Sequence, residues 1–252
     1  MNTAAAFSFA VICEAPADLR LATALADRVL CKEIDWIHPE DLDLYRSWRG
    51  LEPVDSHLEW HWVSRLAKQQ NLKLRPRPHG NFGEEPAALA ARKALLLLAR
   101  SRHVPDAVVL VCDTDGREEL RRGLEQARDA SPLFEVVVLA VAHTKRECWV
   151  LAGFDPHSED EEEALAGIRR ELGFDPRLRA ESLTATEPQA PRNAKRVLNR
   201  LTGGNPDREQ ECWTATDLAT LRERGRLTGL SDFLDEVRKR LVSLFTNRQA
   251  SP

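Results

Sequence analysis

Runs of almost wholly apolar residues alternate along the chain with stretches in which apolar residues recur every three or four positions. The apolar runs are FSFAVIC (7–13), AVVLVC (107–112) and EVVVLAVA (135–142). Each predicts a strand that is buried on both faces. The helical spacing lies between them, at 16–30, 86–102 and 117–129. Strands that alternate with helices predict an α/β fold with a mainly parallel sheet flanked by helices.

Two regions depart from this alternation. Residues 31–84 are irregular and hold four of the six tryptophans, Trp36, Trp48, Trp60 and Trp62. They predict an insertion in which the indoles serve as core, because each buries a large area. Residues 156–252 carry helical signals only. We therefore expect an α/β domain over 1–155 and a helical C-terminal region packed on it.

Composition and charge restrict the class of protein. The 252 residues are 42% hydrophobic and 30% charged, with a net charge of −4, so no global basic field attracts nucleic acid or membrane. The five cysteines have no CxxC spacing, which favours reduced thiols over disulfides or a zinc site. No apolar run has the length of a membrane span, and the first residues lack a basic signal-peptide region. We expect a cytoplasmic protein.

Acidic residues follow all three predicted strands. Glu14 comes after the first, Asp113 and Asp115 after the second, and Glu147 after the third. The carboxyl ends of parallel strands open on one edge of a sheet, where α/β proteins place their sites. Carboxylates that meet there repel one another unless a cation joins them, and such oxygen ligands suit Mg²⁺ or Mn²⁺.

Each acid also has a structural interpretation. Asp115 has the spacing of a helix cap, with Glu118 three residues later completing a capping box. Asp113 has no helix end of its own to satisfy. Glu147 has Lys145 and Arg146 beside it and could form an ordinary local ion pair with either.

The order of these motifs resembles the TOPRIM fold, the metal-binding α/β domain of topoisomerases, primases and OLD-family nucleases. The matching stretches are VICEAPAD with Glu14 and VLVCDTDG with Asp113 and Asp115. The chain is more similar still to small stand-alone bacterial TOPRIM-like proteins, through ECWVLAG, APRNAKRVLNRL and GLSDFLDEVRKRLVSLF. Ala15 departs from the usual glycine after the glutamate, and the long interval between Glu14 and Asp113 is consistent with the insertion.

The resemblance implies a metal-dependent site for phosphodiester chemistry. Asp113 would be the principal Mg²⁺ ligand, Asp115 a second or water-mediated ligand, and Glu14 a ligand or proton-transfer group. Glu147 would be a further metal ligand. Asp18 occupies a position where related nucleases also carry an acid, although a first-turn acid on a helix has a structural interpretation too.

A basic helix is the candidate for nucleic-acid contacts. Arg192, Arg196 and Arg200 recur every four residues and predict one helix face, and the opposite apolar stripe is Ala194, Val197, Leu198 and Leu201. Lys195 adds a fourth cation, and no acid interrupts 188–206. The alternative is a solvated outer helix face.

These observations lead to a first hypothesis of a Mg²⁺-dependent TOPRIM-like nuclease acting on nucleic acid, with DNA the expected form. By resemblance it would belong to a bacterial defence or mobile-element system and work with an ATPase partner. A second hypothesis is a catalytically inactive TOPRIM-fold subunit that binds a partner protein. A third is a phosphotransferase or hydrolase acting on a nucleotide with the same metal chemistry.

Overall fold

The first apolar run forms the central strand of a mainly parallel sheet in the computed structural model, which describes residues 7–75, 78–79 and 82–249. This strand pairs in parallel with three others, and the strand order is β2-β1-β6-β7, with β3 also on β1. A separate antiparallel pair is β4 with β5. The strands are β1 (Phe7–Cys13), β2 (Arg46–Arg49), β3 (Leu58–Glu59), β4 (Pro78–His79), β5 (Phe82–Gly83), β6 (Ala107–Asp113) and β7 (Val136–Ala142).

Helices flank this sheet and make up the region after residue 155, so the predicted α/β fold is confirmed. Three short helical turns accompany them, Pro39–Asp41, Ala180–Ser182 and the π-type turn Val237–Leu241. The α-helices are α1 (Pro16–Glu33), α2 (Leu42–Tyr45), α3 (Trp60–Gln69), α4 (Pro86–Ala99), α5 (Glu118–Asp129), α6 (Arg146–Ala152), α7 (Glu159–Leu172), α8 (Ala194–Thr202), α9 (Pro206–Thr214), α10 (Leu218–Arg224), α11 (Leu230–Glu236) and α12 (Val242–Gln249).

Burial along the strands explains why their sequences are continuous rather than alternating. All seven residues of β7 and the last five of β1 are buried, as expected when helices cover both faces of a parallel sheet. None of the helices that the structure describes combines the length and the apolar character needed to cross a bilayer.

The tryptophan-rich segment contributes to the sheet, which the sequence did not predict. Strand β2 is polar, RSWR, yet it pairs in register with β1. Its Arg46 binds Asp27 of α1 at 2.7 Å, and the Trp48 indole N–H donates to the same carboxylate at 3.0 Å. The interpretation of the indoles as core is wrong for Trp62, which is 40% exposed, because the Arg65 guanidinium rather than the core lies against its ring.

Contacts divide the chain into two compact units. The sheet unit contains the residues up to Cys112, Arg117–Ala140 and the residues from Asp235 on, and the helical unit contains Asp113–Gly116 and Val141–Leu234. The domain boundary expected near residue 155 stays a prediction, since clusters of contacts are not independently folding domains.

Candidate functional site

The turn that carries the two aspartates is held by backbone hydrogen bonds to the last residue of β7 and to the segment that follows it. The N–H of Thr114 donates to the Ala142 carbonyl, and the N–H of Asp115 donates to the Thr144 carbonyl, both at 2.9 Å. Asp115 has a φ of 50° and Gly116 a φ of 78°, a left-handed conformation that aspartate and glycine tolerate better than other residues. The backbone therefore fixes the direction of this turn.

Asp113 is the last residue of β6, which extends one residue beyond the predicted strand 107–112, and its side chain serves a helix end. Its Oδ1 accepts the backbone N–H of Arg146, the first residue of α6, at 2.9 Å. The first N–H groups of a helix have no partner within the helix. The expectation that Asp113 has no helix end to satisfy is wrong, because the end belongs to a helix 33 residues later in the chain.

Asp115 is not the N-cap residue of α5. Helix α5 begins at Glu118 with Arg117 as its N-cap residue, and this cap has no side-chain hydrogen bond. The Asp115 carboxylate instead lies 2.9 Å from the Lys145 ammonium. The prediction of a capping box between Asp115 and Glu118 is therefore wrong, because the left-handed turn leaves Gly116 and Arg117 between Asp115 and the first residue of the helix.

Lys145 and Arg146 take different acidic partners. The hydrogen bond to Asp115 is the main reason why the pKa of Lys145 is raised, and the negative charges of Glu147 and Asp113 act in the same direction. Arg146 contacts Glu147 at 3.5 Å and Glu209 at 3.6 Å. The predicted local ion pair of Glu147 therefore forms with Arg146 rather than with Lys145.

An open groove of about 810 Å³ in the helical unit brings acidic and basic candidates together. Two predicted metal ligands, Asp113 and Glu147, line it with Lys145. Three predicted nucleic-acid contacts, Lys195, Arg196 and Arg200, line the same groove. The other lining residues are polar or small, namely Thr186, Pro188, Gln189, Asn193 and Asn199.

Helix α8 presents its polar face to this groove. Asn193 caps the helix by accepting the Arg196 backbone N–H at 3.0 Å, and its amide donates to the Ala185 carbonyl at 3.2 Å. The predicted apolar stripe is buried on the other side of α8, at Ala194, Val197, Leu198 and Leu201. The amphipathic helix is therefore confirmed, although Arg192 precedes it and does not share its face.

Arg192 is not among the residues that line the groove. Its guanidinium carbon lies 5.8 Å from the centre of the Phe174 ring, and that of Arg179 lies 5.2 Å from the same ring. Both distances are those of cation–π contacts. The role of Arg192 in nucleic-acid binding stays a prediction.

Glu14 follows β1 directly and is exposed. It belongs to the sheet unit, whereas the other three predicted acids belong to the helical unit. Asp18 accepts the backbone N–H of Ala15 at 3.0 Å, so it supports the start of α1. The convergence of Glu14 with the other acids stays a prediction.

The carboxylates of the groove suit a metal ion that arrives with a phosphate. Mg²⁺ is often bound through one or two carboxylates, with water and substrate phosphate completing its coordination. Asp113 and Glu147 provide these two, and one oxygen of Asp113 already accepts the Arg146 N–H. Across residues 7–75, 78–79 and 82–249, no group of three or more His, Cys, Asp and Glu side chains is arranged to hold a metal ion.

The sequence does not point to two residues of this region. It indicates Lys145 only as a partner of Glu147, and nothing in the local sequence indicates that Lys145 lines a groove. Glu171 is one acid among many on a charged helix, although its carboxylate binds Arg196 and Arg200. Its signal is weak, because these arginines lie 25 and 29 residues later in the chain.

The resemblance to TOPRIM proteins rests on the order of short motifs and on the acids that follow the strands. Membership of the TOPRIM family therefore stays a prediction. Comparison with protein-family models, with curated proteins and with solved structures gives no match.

Proposed function

We propose that this protein is a Mg²⁺-dependent nuclease that hydrolyses phosphodiester bonds in its helical-unit groove. The observation that carries the proposal is the presence of Asp113 and Glu147 in one groove with Lys145, Lys195 and Arg196. A phosphodiester needs cations for its charge, and its hydrolysis needs an activated water. The resemblance to TOPRIM proteins supports the same chemistry.

The groove has a local charge opposite to that of the whole chain. Among the described residues that line it, four are cationic and two are acidic, whereas the net charge of the protein is −4. A concave basic surface concentrates field lines and attracts anionic ligands locally. The groove can therefore attract phosphates although the net charge of the protein is negative.

Asp113 and Glu147 would hold the metal ion. When bound, Mg²⁺ or Mn²⁺ neutralises charge on the phosphate and lowers the pKa of a coordinated water. The backbone N–H of Arg146 fixes one oxygen of Asp113, and Lys145, whose pKa is raised by its hydrogen bond to Asp115, lines the groove beside the carboxylates. Lys145 can then donate to a phosphate oxygen.

Cleavage assays with purified protein test the proposal. Supercoiled plasmid and single-stranded RNA would be incubated with Mg²⁺, Mn²⁺ or EDTA, beside the Asp113→Asn variant. We expect cleavage that requires the metal and falls by more than about 100-fold in the variant. Cleavage that persists in EDTA or in Asp113→Asn would count against the proposal.

A second candidate is hydrolysis or transfer of phosphate on a nucleotide, which the volume of the groove favours. About 810 Å³ lies within the range of about 300–1,000 Å³ typical of small-molecule pockets. Phosphate release from nucleoside triphosphates and monophosphates, measured in the same buffers, separates this activity from polynucleotide cleavage.

The resemblance also suggests an ATPase partner, a bacterial defence or mobile-element system, and a cytoplasmic setting. No disulfide joins any of the five described cysteines, which supports a reducing compartment. Mn²⁺ binding that depends on Asp113 without cleavage would indicate an enzyme that needs its partner. If no metal binds, an inactive subunit that binds a partner protein becomes the better interpretation.

A further inference from the structure

One carboxylate in the helical unit is shared between two arginines of the groove. Oε1 of Glu171 accepts a hydrogen bond from Arg196 Nη2 at 2.9 Å, and its Oε2 accepts one from Arg200 Nη1. The two guanidinium groups therefore lie close enough together to bind two oxygens of a single oxyanion. Glu171 itself is not among the residues that line the groove.

The two arginines have more positive charge and more hydrogen-bond donors than Glu171 satisfies. Two positive charges face one negative charge, so the three side chains carry a net charge of +1. Arg196 Nη1 is buried and has no hydrogen-bond partner among the residues that the structure describes. A buried donor without a partner is costly, and an additional oxyanion would satisfy it.

A phosphodiester can replace the carboxylate on this pair of arginines. A phosphodiester offers two non-bridging oxygens, with the geometry that guanidinium groups bind in a bidentate manner. Glu171 is 30% exposed, so water can solvate its carboxylate after it leaves the arginines. Exposed ion pairs of this kind change an equilibrium constant by no more than about fivefold each, so displacement is accessible to a ligand.

We infer that Arg196 and Arg200 form a phosphate subsite separate from Asp113 and Glu147, and that a phosphodiester of a polynucleotide binds there by displacing Glu171. The inference rests on the proposed function, since it places the scissile phosphate at the carboxylates. A polynucleotide supplies a neighbouring phosphate for the arginines. A mononucleotide with one phosphate can occupy only one of the two positions.

Neutralising Glu171 tests the subsite, and Glu163→Gln is the matched control. Both residues lie on α7, both variants remove one negative charge, and Glu163 is exposed. Fluorescence anisotropy with a labelled single-stranded oligonucleotide in EDTA measures affinity without cleavage. We expect Glu171→Gln to bind about three- to tenfold more tightly than wild type, and Glu163→Gln to change affinity by less than about twofold.

A double variant tests whether the gain comes from the arginines. Adding Arg200→Gln to Glu171→Gln should remove the gain. Equal affinities of Glu171→Gln and Glu163→Gln would overturn the inference. So would weaker binding by Glu171→Gln, because Glu171 would then orient the arginines instead of occupying their ligand position. Circular dichroism verifies that each variant is folded.

Competition with unlabelled ligands tests the substrate class. An oligonucleotide should displace the labelled strand from Glu171→Gln at least about tenfold more effectively than a nucleoside monophosphate at equal phosphate concentration. Equal competition would overturn the assignment to a polynucleotide.

The two proposals can fail separately. A gain in binding without metal-dependent cleavage by the wild type would sustain the subsite and reject a nuclease that is active without a partner. Metal-dependent cleavage by the wild type, with no gain in affinity in Glu171→Gln, would sustain the nuclease and reject the subsite.

Discussion

The backbone N–H of Arg146 donates a hydrogen bond to Oδ1 of Asp113 at 2.9 Å. This contact joins the last residue of β6 to the first turn of α6, which also carries Glu147. One hydrogen bond therefore helps to position both carboxylates of the groove. It gives Asp113 a structural role that exists beside any role in catalysis.

Two substitutions at Asp113 should separate these roles. Asparagine keeps an oxygen for the Arg146 N–H, so Asp113→Asn should lower the free energy of unfolding by less than about 1 kcal/mol. Asp113→Ala removes the acceptor and should cost about 1–2 kcal/mol. Urea denaturation measures both values, and equal losses would show that this hydrogen bond contributes nothing to stability.

Reversing a charge on the groove face of α8 should weaken nucleic-acid binding. We expect Arg196→Glu to lower the affinity for an oligonucleotide about tenfold or more at low salt, and the slope of log K against log salt to decrease by about 1. Arg226→Glu makes the same charge change at an exposed residue that does not line the groove. Similar losses in both variants would mean that the effect is one of net charge.

Removing the partner of Lys145 should be visible in its titration. Asp115 raises the pKa of this ammonium above its usual value of 10.5. Because the pKa of Lys145 is higher in the folded chain than in the unfolded chain, its interaction with Asp115 contributes fully to stability below pH 10.5. This contribution is lost as the pH rises through the higher pKa of the folded state. Asp115→Asn should lower the pKa of Lys145 and cost no more than about 1 kcal/mol at neutral pH, since both side chains are partly exposed.

NMR titration of the lysine side chain measures the pKa in Asp115→Asn and in wild type. Denaturation at a series of pH values measures stability, and the difference between the two proteins should shrink above pH 10.5. An unchanged pKa for Lys145 would contradict the importance of this ion pair.

Two glycines of the helical unit should respond in opposite ways to alanine. A Cβ on Gly153 would lie 1.9 Å from the Cys212 carbonyl oxygen, so Gly153→Ala should cost about 2–4 kcal/mol. A Cβ on Gly167 of α7 would approach only Arg200 Nη2, at 3.9 Å. Gly167→Ala should therefore stabilise the protein by about 0.5–1 kcal/mol, which thermal unfolding can measure.

The sequence predicted those parts of the site that depend on periodicity. Apolar runs located β1, β6 and β7, and the acids that follow them could be named because strand ends are local features. The spacing of polar and apolar residues also predicted α8. These signals are carried by neighbouring residues and need no knowledge of the tertiary structure.

Other features depend on distant partners and could not be predicted. The polar strand β2 is stabilised by Asp27, which lies 19 residues before Arg46. Glu171 gains its importance only from arginines that follow much later. Asp115 has the spacing of a cap, but its left-handed backbone keeps it out of the helix. The secondary-structure propensities of neighbouring residues do not reflect any of these constraints.

Phe245 of α12 lies in the aromatic core of the sheet unit. Its ring centre is 4.7 Å from that of Phe7 in β1 and 6.2 Å from that of Trp36. The contacts connect the earliest and latest described parts of the chain, with the helical unit encoded between them. During synthesis, this core cannot close until α12 has left the ribosome. The apolar surface of β1 that Phe245 covers therefore stays exposed until then, and chaperone binding during translation should include it.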